Sequence, residues 1–371
     1  MPTDLLPDER ALRYGRRERA LAAMADADLD VLVLGRPANV RYVAGAPLLW
    51  NAGPRGFSPS GVLVRATGEV HLLSTWDEGV PEEITHDHLY GLTWDPMNLV
   101  AALQRINESA APRRVGTDAL SPLFAKLLPL AFPGAEVVDG EPALRAARRT
   151  KTPEEIVAIR GAIAIAEIAL GAAIAELHPG ISERELTGVF MDSMASQGIT
   201  TPATQDIARI TSRVRSGRDE RVQTGDLVVF DAGVVADGYT GEVGRTWVAG
   251  TRGHGAGARE LFRRCHDLSA RLVDACRVGA GADALFAAYA AAGEAVPAIP
   301  VARGLGLGLD DPLVVRDLPA TAASTILPEG AVLAVTASVT DPAVGTVTGQ
   351  DVVVVTAAGP ELLTNSPWWD E

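Results

Sequence analysis

Gly225-Asp226-Leu227-Val228-Val229-Phe230-Asp231-Ala232-Gly233 decides how this chain folds. An uninterrupted apolar run between glycines reads as a buried strand over 227–235, and Gly238-Tyr239 leads into a second strand at 240–249. Strands so close in sequence are expected to pair antiparallel, which sends Asp231 and Glu242 from neighbouring strands into one cavity. Two close carboxylates with no cation between them cannot comfortably both ionise. One is therefore expected to carry a proton near neutral pH.

Upstream of this hairpin, an apolar-faced helix runs from Glu154 to His178, opened by Thr152 as N-cap and Pro153 at the first helical position, and stopped by Pro179-Gly180. The next helix begins with the capping box Ser182-Glu183-Arg184-Glu185 and ends near Gly198. Downstream, helices are predicted at 256–278 and 282–295 and strands near 298–303, 313–316, 331–340 and 345–357. The first third of the chain alternates strands at 31–34, 60–65 and 69–74 with helices at 8–27, 96–107, 121–130 and 141–149, the pattern of an α/β domain. The polar segment 148–155 separates the two halves, giving domains 1–149 and 150–371.

A chain of 371 residues, 47% hydrophobic and 22% charged, can bury two cores. Its net charge of −14 argues against general affinity for nucleic acid or anionic membranes, which need a basic surface. The N-terminal stretch mixes charges through an amphipathic pattern without the apolar core of a signal peptide, and a cytoplasmic location is the expectation. Cys265 and Cys276 fall on one predicted helix, too far apart for a disulfide, and read as small buried hydrophobes.

The run Leu29–Leu34 followed by Pro37–Gly45 resembles the opening of creatinase-type N-terminal domains. In the second half, Lys151-Thr152-Pro153-Glu154-Glu155, His178-Pro179-Gly180, Ser182–Glu185, Gly225–Gly233, Gly238-Tyr239, Arg245-Thr246 and Asp351–Thr356 follow in the order and spacing of the creatinase/prolidase/aminopeptidase P family. Each piece alone is weak; together they span more than half of the chain. The resemblance implies a two-domain subunit, with a creatinase-like α/β N-terminal domain and a C-terminal pita-bread α+β domain.

In that family a dinuclear metal site is built from two aspartates, a histidine and two glutamates. Carried over position by position, the first aspartate is Asp231, the second becomes Glu242, the histidine Arg303, and the glutamates Thr336 and Gln350. Four carboxylates facing two dications balance to about zero, whereas two carboxylates and one guanidinium sum to −1 without an ion. An arginine has no lone pair to give and would repel a dication while pairing with Asp231 or Glu242. No metal ligand set and no cofactor is therefore expected. The family's other histidines are absent too: 212–218 contains none, and Asp310 stands where another would be.

Asp231, Glu242 and Arg303 are accordingly the candidate catalytic residues. Tyr239, Arg245, Asp310, Asp311, Thr336 and Gln350 are candidate ligand contacts, with Tyr239 and Arg245 equally read as fold-defining and Asp310-Asp311 as a turn before Pro312. Arg213, Arg215 and Arg218 could clamp an anion or form a solvated loop. In creatinase relatives a loop of the neighbouring subunit covers the site. Residues 49–57 resemble that loop in position, which makes Trp50 and Arg55 candidate contacts and a homodimer the expected assembly. Trp368-Trp369 reads as an interface anchor.

Three functions follow from this pattern. The preferred one is a metal-independent hydrolase or lyase acting on a C–N bond of a small amino-acid-like or guanidino compound. The alternatives are a catalytically inactive pseudo-peptidase that binds a peptide or protein, and an Xaa-Pro-type peptidase with an atypical metal site. The partner expected is a small-molecule or short-peptide ligand.

Overall fold

The computed structural model describes residues 6–46, 59–74, 77–91, 95–118, 121–213, 220–250, 256–316 and 326–369. One compact unit is Asp8–Arg148 and the other is built on Arg149–Glu371.

The first unit holds a six-stranded mixed sheet in the order β4-β3-β2-β1-β5-β6. Its centre is β1 (Val31–Leu34), four apolar residues buried on both faces, flanked by β2 (Gly61–Val64) antiparallel and β5 (Arg114–Thr117) parallel. β3 (Val70–Leu73), β4 (Leu89–Tyr90) and β6 (Glu136–Asp139) complete it. The helices start where side chains can serve the orphan amides of their first turn. Asp8 caps α1 (Glu9–Asp26), Asp95 caps α3 (Pro96–Ala110) and Ser121 caps α4 (Pro122–Ala131). Val31, Val33, Val62 and Val64 of the sheet share a core with Leu99, Leu103 and Ile106 of α3 and Leu128 of α4. The elements not foreseen here include α2 (Pro37–Ala44), stopped by the left-handed Gly45, and the short strands β4, β5 and β6.

The first unit closes on α5 (Glu141–Arg149). In the second unit α6 (Pro153–Ala175) and α7 (Glu183–Ser196) both open on complete capping boxes, Thr152 with Glu155 and Ser182 with Glu185. α6 is long and apolar enough to cross a membrane by length and composition alone. Its Ala162, Ile165, Ala166, Ala169 and Leu170 instead join a core with Phe190 of α7 and Phe230, Val234 and Val243 of the sheet, as a central helix does.

That sheet has eight strands, in the order β11-β10-β12-β13-β9-β8-β7 with β14 (Gly359–Leu362) off β13. β7 is Ala208–Ile210, β8 is Leu227–Ala236 and β9 is Tyr239–Val248. The β8–β9 turn places Asp237 and Gly238 both at positive φ, the two-residue hairpin geometry that matches strand twist. β10 (Ala302–Gly306) and β11 (Gly308–Val314) form a second hairpin, and β12 (Val332–Asp341) pairs with β13 (Gly345–Thr356). α8 (Ala256–Ala275) and α9 (Ala282–Ala292) share a core with Leu333, Val335, Val353 and Val355.

Strand periodicity then fixes the rest. Along β8 and β9, Phe230, Ala232, Val234 and Val243 point to the α6 side, so Asp231, Gly233, Glu242 and Gly244 point to the other. A β-carbon on Gly241 would overlap the backbone of Ala162 and Ile163, so the glycine is what lets α6 lie directly on β9.

The strand predicted at 298–303 begins instead at Ala302, and the one at 313–316 becomes β11, which already contains Asp310 and Asp311. The glycine-poised turn is at Gly308, and the pair of aspartates is not a turn. Trp368 and Trp369 pack within their own unit. Trp369 lies 4.5 Å from the Phe262 ring, and Trp368 lies beneath the Arg245 guanidinium at 4.9 Å. Both cysteines are free and buried, and burial pushes each thiol up to about 12.

Candidate functional site

Register brings the catalytic candidates together on the sheet face turned away from the helices. Thr336 lies directly opposite Gln350 across β12 and β13, Gln350 opposite Gly244 across β13 and β9, and Gly244 opposite Asp231 across β9 and β8. Directly opposed residues share a face, and Glu242 joins them two residues along β9 from Gly244. Arg303 pairs with Ala334 of β12, two positions from Thr336, and so enters on the same face. Glycines on this face leave the space that Glu242 and Gln350 occupy. A β-carbon on Gly233 would come 3.2 Å from Cγ of Glu242, and one on Gly244 would come 2.8 Å from Cβ of Gln350.

Glu242, with 3% of its side chain exposed, is held from two sides: its Oε2 pairs with the Arg303 guanidinium and accepts a 2.8 Å hydrogen bond from Nε2 of Gln350. Thr336 Oγ1 donates to Oε1 of Gln350 at 3.3 Å, which fixes the amide with its NH2 toward Glu242. Of the two carboxylates that sequence reasoning allowed, Arg303 therefore takes Glu242. Asp231 is left part-exposed on the same face, and among the described residues its carboxylate accepts no hydrogen bond. Burial raises its pKa above the ordinary carboxylate range and the charge of Glu242 raises it further, against the opposing pull of Arg303 and Arg209.

The remaining candidates are engaged elsewhere. Tyr239 and Arg245 sit at odd positions of β9 and face away from Glu242: Tyr239 donates to Oε1 of Glu155 on α6 at 3.1 Å, and Arg245 is 2% exposed and bonded to Asp351 Oδ1 at 2.8 Å. Arg245 also donates to the carbonyls of Gly244, Gln350 and Ser366. These bonds support the strands that carry the site rather than meet a ligand. Asp310 pairs in register with Gly304, one position off the Arg303 face, and forms a buried ion pair with Lys151 at 3.0 Å. Asp311 lies beside it on β11. Arg213 is bound to Glu220 at 2.9 Å and to Asp226 at 3.3 Å, which makes it a structural cation of its own loop. Trp50, Arg55, Arg215 and Arg218 lie outside the described residues.

Lys151 was the partner sequence reasoning missed. A lysine beside a helix N-cap gives no signal of burial, and only the strand order places β11 above it.

The five-residue set does not fit a pair of divalent ions. Of its members only Asp231 and Glu242 offer anionic oxygen, and one oxygen of Glu242 already faces a guanidinium and an amide NH2. Thr336 and Gln350 are neutral, and the Gln350 amide turns its donor side to Glu242 while its oxygen accepts from Thr336.

Comparison with known proteins agrees with this architecture. Residues 157–357 match metallopeptidase family M24, and residues 16–150 match the creatinase/prolidase N-terminal domain. The chain belongs to the creatinase/prolidase/aminopeptidase P family and has its two-domain pita-bread fold. It is 30% identical over 234 residues to an Xaa-Pro dipeptidase of Pyrococcus furiosus, covering 59% of this chain and 64% of that protein. An uncharacterized peptidase of Bacillus subtilis, YqhT, is 29% identical over 244 residues, covering 63% and 67%. The prolidase structure from Pyrococcus horikoshii superposes with a TM-score of 0.76 at 22% identity, covering 95% of this chain and 99% of that one. The Xaa-Pro dipeptidase of Bacillus anthracis superposes equally well, with a TM-score of 0.76 at 19% identity, covering 96% and 98%. The aligned part thus spans just under two thirds of the Pyrococcus furiosus relative.

Proposed function

We propose that this protein acts on the C–N bond of a dipeptide-sized, Xaa-Pro-like or related amino-acid substrate, with Asp231 as proton carrier and without a dinuclear ion. The observation that carries this reading is the division of labour between the carboxylates: Glu242 is clamped by Arg303 and Gln350, while Asp231 lies part-exposed on the same face with its pKa raised. The names of the relatives, Xaa-Pro dipeptidases among them, support the substrate class. In this mechanism Asp231 gives its proton to the leaving nitrogen as the C–N bond breaks. Water adds its hydroxyl to the carbonyl carbon and returns a proton to Asp231. Arg303, part-exposed at the rim of the pair, and the Thr336–Gln350 couple orient the substrate's polar groups.

The test is amino-acid release from Xaa-Pro dipeptides, N-methylated amino acids and guanidino acids, run with and without chelator, on wild type and Asp231→Asn. Turnover that survives chelator and disappears in Asp231→Asn is the expected result. Turnover abolished by chelator overturns the metal-free mechanism in favour of a peptidase with an atypical ion at Asp231 and Glu242. Thermal stabilisation by a peptide with no turnover of any compound overturns the enzymatic reading in favour of a binding role.

A further inference from the structure

We propose that Glu69, His71 and His88 form a binding site for a single divalent transition ion, zinc by the chemistry of the donors, within the Asp8–Arg148 unit. Period two along the chain puts Glu69 and His71 on one face of the β2–β3 hairpin. The parallel pairing of Leu72 with Leu89 then sets His88, the residue before β4, beside His71. One ligand atom from each of the three lies within 4.8 Å of the others. The two imidazole rings sit 4.4 Å apart at a 39° tilt, and Oε1 of Glu69 is 3.9 Å from Nε2 of His88.

A second observation points to a ligand. Nε2 of His71 is shut off from solvent and has no hydrogen-bond partner among the described residues. Two imidazoles in contact with an orphaned ring nitrogen are a costly arrangement unless something accepts the lone pairs. The carboxylate is already oriented for this, because Thr67 Oγ1 donates to Oε2 of Glu69 at 3.0 Å and leaves Oε1 toward the histidines.

Two nitrogens and one oxygen are the donors zinc takes, at about 2.0–2.2 Å, and around a tetrahedral ion they would close to roughly 3.4 Å from one another. A fourth position would remain for water. The ion would join β3 to β4, a two-residue edge strand with little pairing of its own to hold it. Asp231 and Glu242 have no part in this site.

The experiment uses the full chain, stripped with chelator and desalted, then titrated with zinc by calorimetry and with cobalt by visible absorption. The expected result is one ion per chain with the intense d–d bands of a low-coordinate cobalt site. His88→Asn, at a part-exposed position that should not disturb folding, is expected to weaken binding by more than about 100-fold, beyond what loss of an outer partner does. His86→Asn, an exposed neighbour paired to Asp77, and Asp231→Asn are expected to bind as wild type. Zinc binding of undiminished affinity in His88→Asn, or no uptake by the wild-type chain, overturns the proposal.

Discussion

Replacing Arg245 by methionine tests whether the sheet that carries the site depends on one buried ion pair. Arg245 and Asp351 are 2% and 4% exposed at the side chain and meet at 2.8 Å. Without the guanidinium, the Asp351 carboxylate stays buried with the Ser269 and Thr364 hydroxyls as its side-chain donors among the described residues, at 3.0 and 2.8 Å. Breaking a buried pair by removing one partner costs about 3–5 kcal/mol. The Ser366 carbonyl also loses two bonds from the same side chain. A total near 4 kcal/mol in a unit of this size corresponds to a fall of roughly 8–16 °C in its melting temperature. Differential scanning calorimetry of the full chain should show one transition moving by that amount. Arg245→Lys keeps the charge but loses the fork, and should fall in between. Arg245→Met with Asp351→Asn removes the stranded charge and should recover at least half of the loss. If Arg245→Met melts within 2 °C of wild type, or the double variant is no better than the single, the pair is not what holds these strands.

Gly241→Ala should be worse than an ordinary strand substitution, because the added methyl meets the backbone of α6 rather than a side chain that can turn away. A loss above about 3 kcal/mol, read as misfolded or insoluble protein on expression, is expected. Elemental analysis of chain purified without chelator should find no pair of ions at the Asp231–Glu242 cleft: any bound ion should vanish in His88→Asn and persist in Asp231→Asn. The pKa of Asp231 is raised in the folded state, so the native protein holds that proton more tightly than the unfolded chain does. Its stabilising contribution is full below the usual aspartate value of 3.8 and is lost as pH rises through the native value. Asp231→Asn should therefore melt at or above wild type at neutral pH, with the advantage gone in acid; a variant less stable at pH 7 than wild type would contradict the assigned shift.

Much of this was legible in the sequence where local chemistry is strong. The capping residues Thr152 and Ser182 mark two helix starts, and the apolar run before Asp231 marks the strand that carries it. Alternation then put Asp231 and Glu242 on one face. What the sequence did not disclose depends on contacts far apart along the chain. β5 and β6 are four residues each, with arginine or acidic ends, and only their pairing beside β1 makes them strands. Tyr239 and Arg245 carry groups suited to ligand binding, and the parity of their positions, visible only once the register is known, turns them to the helix side. Asp310 looked like half of a turn because Pro312 follows it, yet the turn belongs to Gly308 and the aspartate to Lys151.

Because the helices cover one face of the second sheet and Asp231 and Glu242 lie on the other, successive residues of the same strand answer to different constraints. Phe230 and Ala232 are bound by packing volume, whereas Asp231 between them is bound only by what the cleft must do. A lineage can thus exchange a histidine or a carboxylate on the cleft side for arginine, threonine or glutamine without altering a single helix-facing contact. The fold carries its chemistry as a removable layer, and sibling chains should differ most at the Asp231-facing parity of β8, β9, β10, β12 and β13 while keeping the packed positions between them similar in volume.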